Sequence, residues 1–217
     1  HAGHQGARVN APPLPAVPPA TLSWTEGDTP HTARWRSEAG LAPPKRVQVA
    51  DDTLNADTAY RLACEGTGLL WRGDFQNARQ MVQALARRID KPPKASKLAR
   101  VKLKKDADNA ISGVPAGQEF HLHRQAQSQR ARVLGALLIP LNADYSIPLR
   151  RAPDWRAACT EAWGAPPEHT TDTGSVVSLR ELLGIVSAHE WRKKGVPIPT
   201  LGPAPDNRIH PHYGVFS

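Results

Sequence analysis

Three groups of residues in this chain have types and spacings that could do chemistry. Glu65-Gly66-Thr67-Gly68 sets an acid beside a Gly-x-Gly turn. Such a turn holds a nucleotide when it follows a buried strand and opens a helix, because the glycine backbone can then approach the ligand closely. Here the residues before it, Ala59 to Cys64, have helical spacing and no β-branched run, so the spacing predicts a helix stop. His121-x-His123 and His210-x-His212 each offer two imidazoles. Zinc requires three or four ligands in tetrahedral placement, and neither a cysteine cluster nor a His-Glu-x-x-His pattern supplies them. His121 and His123 are therefore expected on or near a helix surface, and His210 and His212 beside a constrained turn at Pro211. Cys64 and Cys159 fall on apolar helix faces, where a thiol behaves as a small hydrophobe rather than a nucleophile. There is no Gly-x-Ser-x-Gly elbow, and Asp51, Asp52 and Glu181 have capping roles available. No catalytic, cofactor-binding or metal-ligating residue is predicted.

A third group points to a partner class. Arg87, Arg88, Lys91, Lys94, Lys97, Arg100, Lys102, Lys104 and Lys105 face Asp90 alone, and this short segment accounts for the net charge of +8. Lys97, Arg100, Lys102, Lys104 and Lys105 could neutralise phosphates and release counterions, which would give salt-sensitive, sequence-independent nucleic-acid binding. No aromatic residue interleaves with the run, so base stacking is not indicated. The plainer reading is a solvated, flexible insertion over residues 91–116.

The elements that would position these residues follow from periodicity. Val47-Gln48-Val49-Ala50 alternates as a short strand. Asn55 or Asp57 can cap a helix running to Glu65, with Gly66 as its stop. Asp74 caps a second helix, with Phe75, Ala78, Val82, Leu85, Ala86 and Ile89 stepping by three and four until Pro92-Pro93. A third helix is expected over Gln118 to Leu138, ended by Pro140. Pro153 starts a fourth, whose apolar positions are Trp155, Ala158, Cys159, Ala162 and Trp163, and Gly164 closes it. Ser178 and Glu181 match a capping box for a fifth helix that ends at Gly195. Trp71, Trp155, Trp163 and Trp191 are expected to supply much of the core. Together these predict a mainly helical α+β domain of about five helices with a few short strands over residues 46–207.

Residues 1–45 are rich in Pro, Ala and Gly and are predicted to be a disordered tail that adds little to the core. The chain starts without Met and stops after an apolar run, so neither end reads as a natural terminus. No signal peptide and no stretch of about 20 apolar residues occurs, which excludes a spanning helix and makes a cytoplasmic setting the default. Two distant cysteines give no disulfide framework.

Two stretches carry a family likeness: Ala56 to Thr67 continuing through Leu70-Trp71-Arg72-Gly73-Asp74-Phe75-Gln76-Asn77-Ala78-Arg79-Gln80, and Arg208-Ile209-His210-Pro211-His212-Tyr213-Gly214-Val215-Phe216. They resemble the N-terminal region of bacterial class I S-adenosylmethionine-dependent methyltransferases of the small-domain type, over roughly residues 45–217. In that family the cofactor turn and an Asn-Pro-Pro-aromatic motif lie downstream of a segment like Ile209 to Phe216. No Asn-Pro-Pro occurs in this chain, so none of the family's catalytic residues carries over. The resemblance implies an accessory or substrate-positioning domain, with residues 208–217 leading to a downstream methyltransferase domain as partner. It implies that the parent uses S-adenosylmethionine to methylate a nitrogen acceptor in an RNA or protein substrate, that this chain holds none of the cofactor, and that the fragment alone is inactive. The alternative is a non-catalytic nucleic-acid-binding module that uses the basic loop.

Overall fold

The computed structural model describes residues 18–90, 116–168 and 174–210. The expectations for residues 1–17, for the basic insertion with Lys97, Arg100, Lys102, Lys104 and Lys105, and for 211–217 lie outside the described residues. Within them the order is β1 (Thr21–Glu26), β2 (Thr29–Arg36), β3 (Arg46–Ala50), α1 (Ala56–Cys64), β4 (Thr67–Trp71), α2 (Phe75–Asp90), α3 (Ala116–Leu134), β5 (Leu137–Leu141), α4 (Arg156–Trp163), β6 (Ser175–Ser178), α5 (Leu179–Lys194), β7 (Val196–Pro197) and β8 (Arg208–Ile209). Six strands form one sheet in the order β1-β2-β6-β5-β4-β3, and β7 and β8 form a separate antiparallel pair. The sheet is mixed: β2/β6, β3/β4 and β4/β5 are parallel, while β1/β2 and β5/β6 are antiparallel.

The expected number of helices is present among the described residues, but the fold is not mainly helical. It is a mixed α/β domain organised by the six-stranded sheet, which curls until its edge strands β1 and β3 meet. Arg72, just past β4, fastens the seam with hydrogen bonds of 3.1 and 2.8 Å to the Glu26 carboxylate at the end of β1.

Three local readings explain the difference. The first 45 residues do not all stand apart from the core, because 21–36 form a hairpin. Leu22, Ala33 and Trp35 point inward between outward-facing neighbours, and Gly27-Asp28 makes the two-residue turn, with Gly27 at φ +60° and Glu26 opposite Thr29. The third helix ends at Leu134, and Leu137-Leu138-Ile139-Pro140-Leu141 is a fully buried strand. A continuous apolar run has no period that separates a buried strand from a buried helix. Pro140 is tolerated because β4 pairs only with Leu137 and Leu138, so no neighbour on that side needs its missing N–H. Finally, Ser175–Ser178 is a buried strand that runs directly into α5. The expected capping box does not form: Ser178 makes no side-chain cap bond, and its buried Oγ has no hydrogen-bond partner among the described residues. Glu181 instead accepts from Ser37 Oγ (2.9 Å) and from the Glu38 N–H (3.0 Å), which ties α5 to the end of the hairpin.

Other elements follow their sequence signals. Asn55 Oδ1 caps α1 by accepting from the Thr58 N–H at 2.8 Å, and β3 spans the predicted alternation. Asp74 caps α2, accepting from the Gln76 N–H at 2.9 Å. The fourth helix starts at Arg156, three residues later than Pro153 suggests, and closes at Gly164. Alternation along the strands divides the core between two faces. Leu69, Leu137, Ile139 and Val177 pack outward with Trp71, Phe75, Leu85, Leu179 and Leu182 beneath the helices. Leu70, Leu138 and Val176 point into the curl, where they meet Leu22, Ala33 and Trp35. Full burial of a side chain such as Phe75 contributes about 1.5–3 kcal/mol. Trp155 packs edge-on against Phe75, but Trp191, expected in the core, is 51% exposed.

Candidate functional site

The Gly-x-Gly turn stands at the wrong end of the sheet to cradle a ligand. α1 precedes it, β4 follows it, and it lies at the amino ends of the parallel strands β3 and β4. Nucleotides in open α/β sheets bind outside the carboxyl ends. Each glycine has a local reason. Gly66 takes φ +83° to end α1, and Gly68 lets Pro44 cross β4, since a Cβ there would lie 2.7 Å from Pro44 Cγ and 2.8 Å from Leu138 Cδ1. His121 and His123 lie on the exposed part of α3, and His210 Nδ1 contacts the Arg192 carbonyl at 2.7 Å. Among the described residues, no three His, Cys, Asp or Glu side chains are grouped to hold a metal. Cys159 is fully buried, which pushes its thiol up to about 11 despite the nearby positive Arg36. A thiol so protonated is a poor nucleophile.

Two arginine pairs mark the remaining chemistry. The first lies at the carboxyl ends of β3, β4 and β5. There the buried Asp74 carboxylate accepts from Arg151 Nε at 2.6 Å and from Arg150 Nε at 3.0 Å. Asp52 supports it, accepting from the Asp74 N–H at 3.0 Å and from Asn77 Nδ2 at 3.0 Å. The Arg151 hydrogen bond does most to hold the Asp74 carboxyl down to about 2; burial opposes it, and the Gln76 N–H and Arg150 add to it. Arg151 keeps a left-handed backbone, φ +55°, in this arrangement. At the end where an α/β sheet would receive a nucleoside, the buried carboxylate is thus already engaged by the chain's own arginines.

The second pair is Arg34 and Arg36 on β2. Alternation places both on the outer face while Ala33 and Trp35 point inward. Helices cover that face over β4 and β5, but at the β2/β6 boundary they leave a cleft of about 250 Å³. Arg34, Arg36 and Ser175 lie in it with Asn142, Tyr145 and Trp163. The Arg36 guanidinium lies 4.5 Å from the Trp163 ring centre and 5.2 Å from that of Tyr145, and its Nε donates to Ser175 Oγ at 3.1 Å. Trp163 is held by its indole N–H donating to Glu38, and Tyr145 by its hydroxyl donating to the Gly164 carbonyl at 3.2 Å. Burial lowers the Arg36 pKa from its ordinary value and the positive charge of Arg34 lowers it further, against the influence of Tyr145 and Cys159. Among the described residues, no carboxylate pairs with either arginine.

Sequence reasoning missed this cleft. Its β2 residues fall in the stretch whose composition predicts a tail, although Ala33-Arg34-Trp35-Arg36 carries a strand alternation with both cations on one face. No known protein family, curated protein or solved structure matches the chain. No helix among the described residues is long and apolar enough to cross a membrane.

Proposed function

We propose that this chain is an accessory, substrate-positioning domain that works beside an S-adenosylmethionine-dependent methyltransferase domain acting on a nitrogen acceptor in RNA or protein. The resemblance of residues 56–80 and 208–216 to the N-terminal region of such enzymes motivates the reading. One structural observation carries the division of labour. The Gly66/Gly68 turn opens a strand rather than a helix, and the opposite end of β3 and β4 carries the ion pairs and hydrogen bonds of Asp52, Asp74, Arg150 and Arg151. The cofactor would therefore be held by the partner domain, and this chain alone would be inactive.

Calorimetric titration of the chain with S-adenosylmethionine tests the proposal. The expected result is no saturable heat. Saturable micromolar binding contradicts it, most directly if a Gly68→Ala variant that remains folded loses that binding.

A further inference from the structure

From the cleft on β2 we infer a binding site for the phosphate group of a nucleotide, either free or within a nucleic-acid strand. The inference deepens the substrate-positioning reading and rests on it for biological context; the binding itself follows from the cleft.

Arg34 and Arg36 are two positions apart on one face, about 7 Å along the strand. Their charges repel, and Arg36 is half-buried against two aromatic rings that also touch each other, without a carboxylate partner among the described residues. Holding two cations together in a partly dry cleft is unfavourable until an anion joins them. A phosphomonoester carries about −1.5 to −2 charges and three terminal acceptor oxygens, and a strand's phosphodiester carries one charge shared by two non-bridging oxygens; either offers the two guanidinium forks a tetrahedral set of acceptors that one planar carboxylate does not. Ser175 adds a further donor: its Oγ accepts from Arg36 Nε, leaving the hydroxyl hydrogen free to donate. Arg36 is pre-positioned by Tyr145 and Trp163, so little side-chain freedom is lost on binding. The indole wall beside the cations favours a phosphate attached to a ribose and base over inorganic phosphate.

The test follows the Arg36 Nε–H and the Ser175 amide by NMR at constant ionic strength. The full chain is titrated separately with inorganic phosphate, adenosine 5′-monophosphate and a single-stranded octaribonucleotide. Saturable shifts at both groups are expected with the monophosphate or the oligonucleotide. Tighter binding of the oligonucleotide at the same two groups would identify the strand as the source, and tighter binding of the monophosphate the free nucleotide. Arg34→Ala, at an exposed position, should weaken binding by about tenfold or more while leaving the fold intact. Arg36→Lys, which keeps the charge and loses the fork, should also weaken it. Replacing Lys97, Arg100, Lys102, Lys104 and Lys105 by Ala should leave the shifts in place. The inference is overturned if none of the three ligands moves these resonances, if Arg34→Ala binds as the parent does, or if the five-fold replacement abolishes the shifts. None of these outcomes depends on whether S-adenosylmethionine binds.

Discussion

Arg150 and Arg151 stand at one end of the sheet and Arg34 and Arg36 in the cleft that the helices leave on its outer face, and the two pairs have opposite surroundings. The first pair shares a buried carboxylate, Asp74, which also caps α2. The second has a serine hydroxyl, an indole and a phenol, with no carboxylate among the described residues. A buried carboxylate held by two arginines serves the fold, because removing the arginines would leave its charge buried and unpaired. A cation left unsatisfied in a cleft costs stability and is available to a ligand. The contrast separates a structural clasp from a binding site without appeal to sequence relatives.

The largest expected effect comes from breaking the clasp. Asp74→Ala removes the acceptor for two guanidinium groups and the cap of α2, and should lower Tm by about 5 °C or more in thermal melts. Asp74→Asn keeps a capping oxygen and should lose less. If Asp74→Ala melts like the parent, the clasp is not structural.

Acid sharpens the same contrast. The Asp74 carboxyl is held at about 2 in the folded state, below the unfolded value near 4, so its contribution is complete above about pH 4 and lost as pH falls toward 2. Melts of the parent between those values should fall more steeply than melts of Asp74→Asn. Parallel curves would contradict the assignment.

A smaller loss is expected where the hairpin meets α5. Glu181→Ala removes the acceptor of Ser37 and Glu38 and should cost about 1 kcal/mol in denaturant titrations. No change there would mean that the hairpin is held by its apolar face alone. The smallest effect on stability belongs to the cleft: Arg34→Ala should stay within about 0.5 kcal/mol of the parent. Arg34→Glu, which brings a carboxylate to Arg36, should be no less stable than Arg34→Ala while losing any response to phosphate.

How much of this was legible in the residues depended on what each residue signals locally. Asn55, Asp74, Gly66, Gly164 and Gly195 act through the adjacent backbone, and the helix ends they mark are found where their types suggest. The strands β5 and β6 were not legible in the same way. Leu137-Leu138-Ile139 is buried on both faces and has no alternation, and Ser175-Val176-Val177-Ser178 is four residues long with a capping-box pattern at its end. Burial on both faces is a property of the finished sheet, so it leaves no periodic trace. The β1/β2 hairpin did carry a trace in Gly27-Asp28 and in its alternating residues, which averaging composition over residues 1–45 concealed. The Asp74 clasp was half legible, as a cap without its arginines. The cleft was legible only as an alternation of cations in β2, because Tyr145, Trp163 and Ser175 reach it from distant parts of the chain.

Thermal melts in phosphate and in chloride at matched ionic strength test the central contrast most directly, because a ligand that binds only the folded state raises Tm by mass action. Phosphate also stabilises proteins generally, so the informative quantity is the difference between the parent and Arg34→Ala. The account predicts that phosphate raises the Tm of the parent by more than that of Arg34→Ala, while Asp74→Asn keeps the parent's increment from its lower starting point. An equal increment in the parent and Arg34→Ala would contradict the claim that Arg34 and Arg36, which have no carboxylate partner among the described residues, form an anion site.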